Sequence, residues 1–205
     1  MDAATVAAFL AVDLLLVFTP GADWAYAIAA GLRGRSVVPA VAGLIVGYAG
    51  YTLLAVAGLV VIVASSATLL TVLTVAGAGY LMWLGWRVLS RPAVPGASTE
   101  AVAVSRMQVM LKGAGISGLN PKALLLYFSL FPQFIDTSGG WPVAAQTGML
   151  GVLHMAACAL VYLGVGVLAR SVLNARPAAA RAVTRASGAM MIVIGTVLLV
   201  ERLAG

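Results

Sequence analysis

Phe18-Thr19-Pro20-Gly21-Ala22-Asp23, and later Gly118-Leu119-Asn120-Pro121-Lys122-Ala123, decide how this chain folds. Each sets a proline inside a long apolar stretch. A polar residue able to cap a helix precedes the proline, and a charge lies close behind it, Asp23 in one case and Lys122 in the other. Proline within a helix removes an N–H donor and clashes with the preceding turn. At membrane depth, freed backbone groups and charges persist only where they face packed protein or a wet cavity. A single break is explained equally well as a kink relieved by neighbouring helices. Two breaks at corresponding places in two halves point instead to a binding site at a repeat interface.

The sequence around these breaks belongs to an integral membrane protein. Hydrophobic residues form 62% of the 205 positions and charged residues only 9%, and the apolar runs are long enough to cross a hydrocarbon core of about 30 Å. The sequence predicts an all-α membrane protein with six transmembrane helices, at 3–32, 37–64, 67–89, 113–135, 143–168 and 186–200. The last is short and borrows length if Arg181, Arg185 and Arg202 reach toward the headgroups, so a five-span alternative stays open there. As one straight helix the first span would run about 45 Å. It must tilt strongly or bend, and Pro20-Gly21 is the natural place. Thr19 is then expected as N-cap and Pro20 as first residue of a new half-helix, with Asn120-Pro121 repeating the arrangement.

Ten of the twelve basic residues fall in three segments: Arg33 and Arg35; Arg87, Arg91, Arg106 and Lys112; Arg170, Arg176, Arg181 and Arg185. That distribution is a topology signal rather than a nucleic-acid-binding face, despite the net charge of +6. It puts those loops in the cytoplasm and both termini outside, and it favours an even number of spans. The N-terminus, Met-Asp with no basic region, does not read as a cleavable export signal. The lone cysteine, Cys158, excludes an internal disulfide and reads as packing within the fifth span.

The segment 91–106 reads as a flexible cytoplasmic linker joining halves 1–90 and 107–205 of a single transporter domain. Matching Pro20 to Pro121 aligns the breaks, and other offsets set Ala76-Gly77-Ala78-Gly79 over Ala186-Ser187-Gly188-Ala189 and Tyr48 over His154. Three spans per half make such a repeat inverted across the membrane. The first and fourth helices would be the two broken at proline.

A half-helix beginning at membrane depth aims free N–H groups and partial positive charge inward, which suits a carboxylate. Lys122 sits unfavourably in such a first turn and needs an acidic partner, a bound anion or loss of its charge. Asp23 is the natural counterpart. The two form either a structural ion pair between the halves or the two poles of one cavity for a zwitterion. Asp13, about 10 Å along the helix from Pro20, is a proton site or a group near the outer interface. His154 suits proton exchange, or is hydrogen-bonded to a neighbouring span. Tyr48 and Tyr51, in Gly47-Tyr48-Ala49-Gly50-Tyr51, line the cavity or pack the core. The tryptophans, and the Phe and Tyr residues not already named, read as packing or interface anchors. The expected binding set is therefore Thr19, Pro20, Gly21, Asp23, Tyr48, Tyr51, Asn120, Pro121 and Lys122, with Asp23, Asp13 and His154 as proton-coupling candidates.

Thr19-Pro20-Gly21, Gly43-Leu44-Ile45-Val46-Gly47, Gly79-Tyr80-Leu81-Met82-Trp83-Leu84-Gly85 and Asn120-Pro121-Lys122-Ala123, followed by Phe131-Pro132-Gln133-Phe134, together resemble the LysE/RhtB family of amino-acid exporters. The resemblance is clearest over 13–135. It implies a bacterial inner-membrane exporter of amino acids or related small solutes, driven by protons and needing no cofactor. Two departures stand out. Many relatives carry an acidic or strongly polar residue near the position of Tyr48, and the residues after Thr-Pro-Gly are here Ala22-Asp23. Both move the weight of proton coupling toward Asp23.

Two other classes compete. A membrane-embedded enzyme could also place Asp23, Lys122 and His154 in a midplane cavity, but no metal cluster, nucleophile elbow or phosphate loop accompanies them. A cation exporter carrying divalent metal would want more ligands than one His, one Cys and few acids supply. Neither the solute nor the oligomeric state is fixed by the sequence, and a homo-oligomer stays open.

Overall fold

A computed structural model describes residues 1–33, 36–58, 67–90, 105–136, 140–172 and 175–204. The described residues are helical, with short connections and no strand. The helices are α1 (Ala3–Phe18), α2 (Ala22–Leu32), α3 (Val38–Val56), α4 (Ala67–Ser90), α5 (Arg106–Gly118), α6 (Pro121–Leu125), α7 (Val143–Ser171) and α8 (Pro177–Ala204). A π-helical turn at Leu126–Leu130 and a 3-10 turn at Phe131–Phe134 continue from α6.

Both prolines interrupt their helices. Between α1 and α2 the axis turns by 57°, but the capping differs from expectation. Thr19 is the C-cap of α1, not the N-cap of α2: its N–H bonds Leu16 O, and its hydroxyl donates to Leu15 O at 2.8 Å. Committed to the turn behind it, Thr19 has no oxygen directed at α2. The cap of α2 passes to Gly21, which has no side chain to contribute, and Pro20 stays outside both helices. At the second break the expectation holds. Asn120 caps α6 through its side-chain oxygen, which accepts from the Lys122 N–H at 3.1 Å, and Pro121 is the first helical residue.

Element boundaries move in two other places. α5 begins at Arg106 rather than near 113, because Ser105 and Gln108 form a reciprocal capping box. The residues expected as a short sixth span, 186–200, belong to α8, which at 28 residues is about 42 Å long. Arg181 and Arg185 therefore sit on the helix itself, and length is no limit there. Residues 59–66 of the second span and 91–104 of the linker lie outside the described residues.

Among the described residues α3 and α7 are each long and apolar enough to cross a membrane, and α1 with α2 makes a third candidate if the bent pair is one span. Without a hydrophobic force between helices in lipid, association depends on close packing at small residues. A Cβ on Gly113 would stand 2.8 Å from Ala40 O, locking α5 against α3; one on Gly85 would stand 2.7 Å from Gly188 O, between α4 and α8. Gly31 and Gly166 bring α2 equally close to α7. Phe9 anchors α1 edge-on against Phe131 and Phe134, at 5.5 and 5.4 Å. These contacts bring both breaks onto one buried centre.

Candidate functional site

Asp23 occupies that centre. It lies in the first turn of α2, where the helix dipole favours negative charge. Its Oδ2 accepts from Tyr48 OH of α3 at 2.6 Å, Asn120 Nδ2 at 3.0 Å and Tyr162 OH of α7 at 3.3 Å. The cap of the second half-helix thus reaches across to the acid behind the first break. Asp23, Tyr48, Asn120 and Tyr162 are each at most 2% exposed. A buried carboxylate needs several donors to remain charged. Three serve Oδ2, while Oδ1 has no hydrogen-bond partner among the described residues.

Lys122 does not pair with Asp23. No ion-pair contact joins them, and the ammonium turns to backbone instead, donating to Leu16 O and to Thr19 O, the latter at 3.0 Å. Both carbonyls lie at the end of α1, where the helix leaves acceptors unsatisfied and carries partial negative charge. The expected misfit of a lysine in the first turn of α6 is relieved by the C-terminal end of α1. Trp24 completes that end through Nε1 to Val17 O at 2.8 Å. This indole therefore satisfies the break rather than serving only as packing. Tyr51 plays the matching part at the other break, its hydroxyl donating to Gly118 O at 2.7 Å.

A second buried acid stands beside this centre. Asp13 is fully buried in α1, and its Oδ1 lies 2.7 Å from His154 Nδ1 of α7. With Asp13 as a carboxylate, which only accepts, Nδ1 is the donor of that bond; with Asp13 protonated the roles reverse. Asp13 Oδ2 is unpartnered among the described residues. The Tyr48 ring packs edge-on against His154 at 4.6 Å and so stands between the two acids. Cys158 lies 3.5 Å from His154 Nε2, buried as expected.

Tyr162, Tyr127 and Thr52 belong to this cluster, although sequence reasoning assigned them no role in it. Tyr127 sits in the π-helical turn after α6, shares a 2.7 Å hydrogen bond with Thr52 Oγ1 and stacks on Tyr51. Such turns widen a helix locally and recur at functional sites. His154, Cys158 and Tyr162 follow at four-residue spacing, so one face of α7 carries all three. That spacing was the signal available. Leu16, Val17, Tyr48, Lys122, His154 and Tyr162 border a cavity of about 10 Å³, room for roughly one water. The centre is therefore closed around its polar groups.

A larger opening lies on the other face of α2. It measures about 360 Å³ and is walled by α2, α4, α5 and α8.

Comparison with known proteins gives the same order of elements a family. The model of the LysE type translocator matches residues 14–202. An uncharacterized membrane protein of Vibrio cholerae is 33% identical over 172 residues, 82% of each chain. A homoserine/homoserine lactone efflux protein of Salmonella typhimurium is 28% identical over 93% of this chain and 94% of its own. A leucine efflux protein of Klebsiella pneumoniae is 29% identical over 67% and 66%. No solved structure matches. Matched along almost its whole length, the chain belongs to the LysE type translocator family, and it is a membrane transporter rather than an enzyme.

Proposed function

We propose that this protein is a secondary active exporter of amino acids or closely related small metabolites across the bacterial inner membrane, coupled to protons and working by alternating access. The observation that carries the proposal is the Asn120–Asp23 hydrogen bond, by which one broken segment holds the acid of the other. The names of the relatives, efflux proteins for homoserine, its lactone or leucine, agree with a small amino-acid-like cargo.

In this reading the chain forms six spans in two inverted repeats, halves 1–90 and 107–205, with both termini outside. The helix pairings support it. In an inverted repeat the first, second and third spans correspond to the fourth, fifth and sixth. The packing of α1 and α2 on α7 then mirrors that of α5 on α3, and α4 packs on its own counterpart α8. Such a pseudo-twofold suits rocking about a central site.

When the centre opens, Lys122 leaves the carbonyls of Leu16 and Thr19 and takes the solute carboxylate, beside the half-helix N-termini. The solute ammonium goes to Asp23, whose Oδ1 is free to accept it. The acid cannot hold ammonium and proton at once, so protonation from outside expels the solute and its loss inside readmits one. Asp13 and His154, separated from Asp23 by the Tyr48 ring, are the relay that delivers the proton. Thr19, Pro20, Gly21 and Pro121 shape the two breaks, and Tyr51 holds the second.

Export of radiolabelled leucine, homoserine, threonine and lysine from cells with and without the protein tests the assignment. Faster loss of at least one in expressing cells, abolished by Asp23→Asn at equal membrane abundance, is expected. Wild-type export by that variant removes Asp23 from the mechanism, and no accelerated loss of any member rejects this class of cargo.

A further inference from the structure

The 360 Å³ cavity on the far side of α2 is within the size range of small-molecule sites. Its walls are single helix faces. Ala22, Ala25 and Ala29 form a floor of small side chains along α2, extended by Arg33 at its end. Trp83 and Arg87 face them from α4, with the Arg87 guanidinium 4.9 Å from the Trp83 ring centre. Lys112 closes the third side from α5. Arg33 belongs to one charged segment and Arg87 and Lys112 to the two ends of another, and the rule that keeps cations cytoplasmic is satisfied wherever each points. Here all three border one opening. No carboxylate lines it, and none lies within ion-pair distance of the three among the described residues.

Three like charges around a concave, partly apolar space repel one another and favour an anion between them. The nearby ring and alanine floor suit an apolar body attached to that anion. Ala22 is next to Asp23 in sequence, so the floor of this cavity and the acid of the closed centre share one turn of α2.

We propose that this cavity is an intake site for the carboxylate end of a cytoplasmic solute with an apolar side chain, occupied before the solute reaches Asp23. The proposal rests on the export reading for its place in the cycle. It separates two steps of recognition: the cations at the mouth read the carboxylate, and only the closed centre reads the ammonium.

The test uses the full chain in phosphatidylcholine nanodiscs, with tryptophan fluorescence reporting the binding of leucine, N-acetyl-leucine and leucine methyl ester, and Trp83→Phe assigning the signal. Leucine and N-acetyl-leucine are expected to bind alike, with the methyl ester at least about tenfold weaker, as expected for losing one charge-assisted contact. Arg87→Gln and Lys112→Gln should each weaken both acids by a similar factor, and Lys112→Arg should restore binding. Asp23→Asn should leave N-acetyl-leucine binding unchanged. Equal binding of the methyl ester, or indifference to both glutamine variants, overturns the proposal. So does loss of the signal when phosphatidylglycerol replaces phosphatidylcholine, which would make the cavity a seat for a lipid headgroup. If the signal follows the expected pattern while no amino acid is exported from cells, the anion site stands and the export reading falls.

Discussion

The two proline breaks start from the same sequence device and end differently. The second is self-sufficient at its helix start: Asn120 caps α6 with its own side chain, and Pro121 opens it. The first is spread over Thr19, Pro20 and Gly21, turns the axis by 57° and has no side-chain cap. Its exposed carbonyls depend on Trp24 from beyond the break and on Lys122 from the other half of the chain. A break finished by local groups is a fixed joint, whereas one finished by a distant ammonium can be released when that ammonium finds another anion. In the proposed transport cycle that difference makes the first bend the one that moves.

The largest effect that would sharpen this contrast is on Asp23, where both breaks converge: Asp23→Asn should bring export down to the level of cells lacking the protein. Lys122→Met comes next. It leaves Thr19 O without its donor and Leu16 O with the Thr19 N–H alone, a loss of about 1–3 kcal/mol, and should lower both the melting temperature in detergent and the export rate. Loss of export with no change in melting would mean that the lysine does not hold the first break closed. Asn120→Ala removes a cap worth about 1 kcal/mol together with a bond to Asp23, and should lower the melting temperature by a comparable amount. An unchanged melting temperature would break the account of the second break as finished by its own cap. Tyr51→Phe, which frees only Gly118 O, should cost about 0.5–1.5 kcal/mol and leave export nearly intact. Separately, His154→Gln should make export in vesicles respond less to an imposed pH gradient, while binding of solute at equal pH is retained.

Much of the fold was legible because its signals are local. Proline in an apolar run acts within a few residues, and so does the Ser105 capping box, which the reading of a span starting at 113 passed over. The site was legible in its members and less so in its pairings. Asp23, Tyr48, Asn120, Asp13 and His154 do gather at one centre. Lys122 was expected to answer an acid, but its partners are Leu16 O and Thr19 O, and backbone carbonyls leave no mark in a side-chain sequence. Thr19 was expected to cap forward and caps backward, because the i−4 carbonyl of its own helix competes for its hydroxyl. Tyr162 went unassigned since a tyrosine in an apolar span reads as packing until the partner on another helix is known.

Cys158, buried beside His154, has a practical consequence. It is the chain's one thiol, so a thiol-directed reagent can mark a single atom next to the paired histidine and aspartate without engineering a cysteine-free background. Alkylation speed at that sulfur becomes a clock for how often the centre opens, and solutes that hold it open or shut can be ranked by how they change the pace.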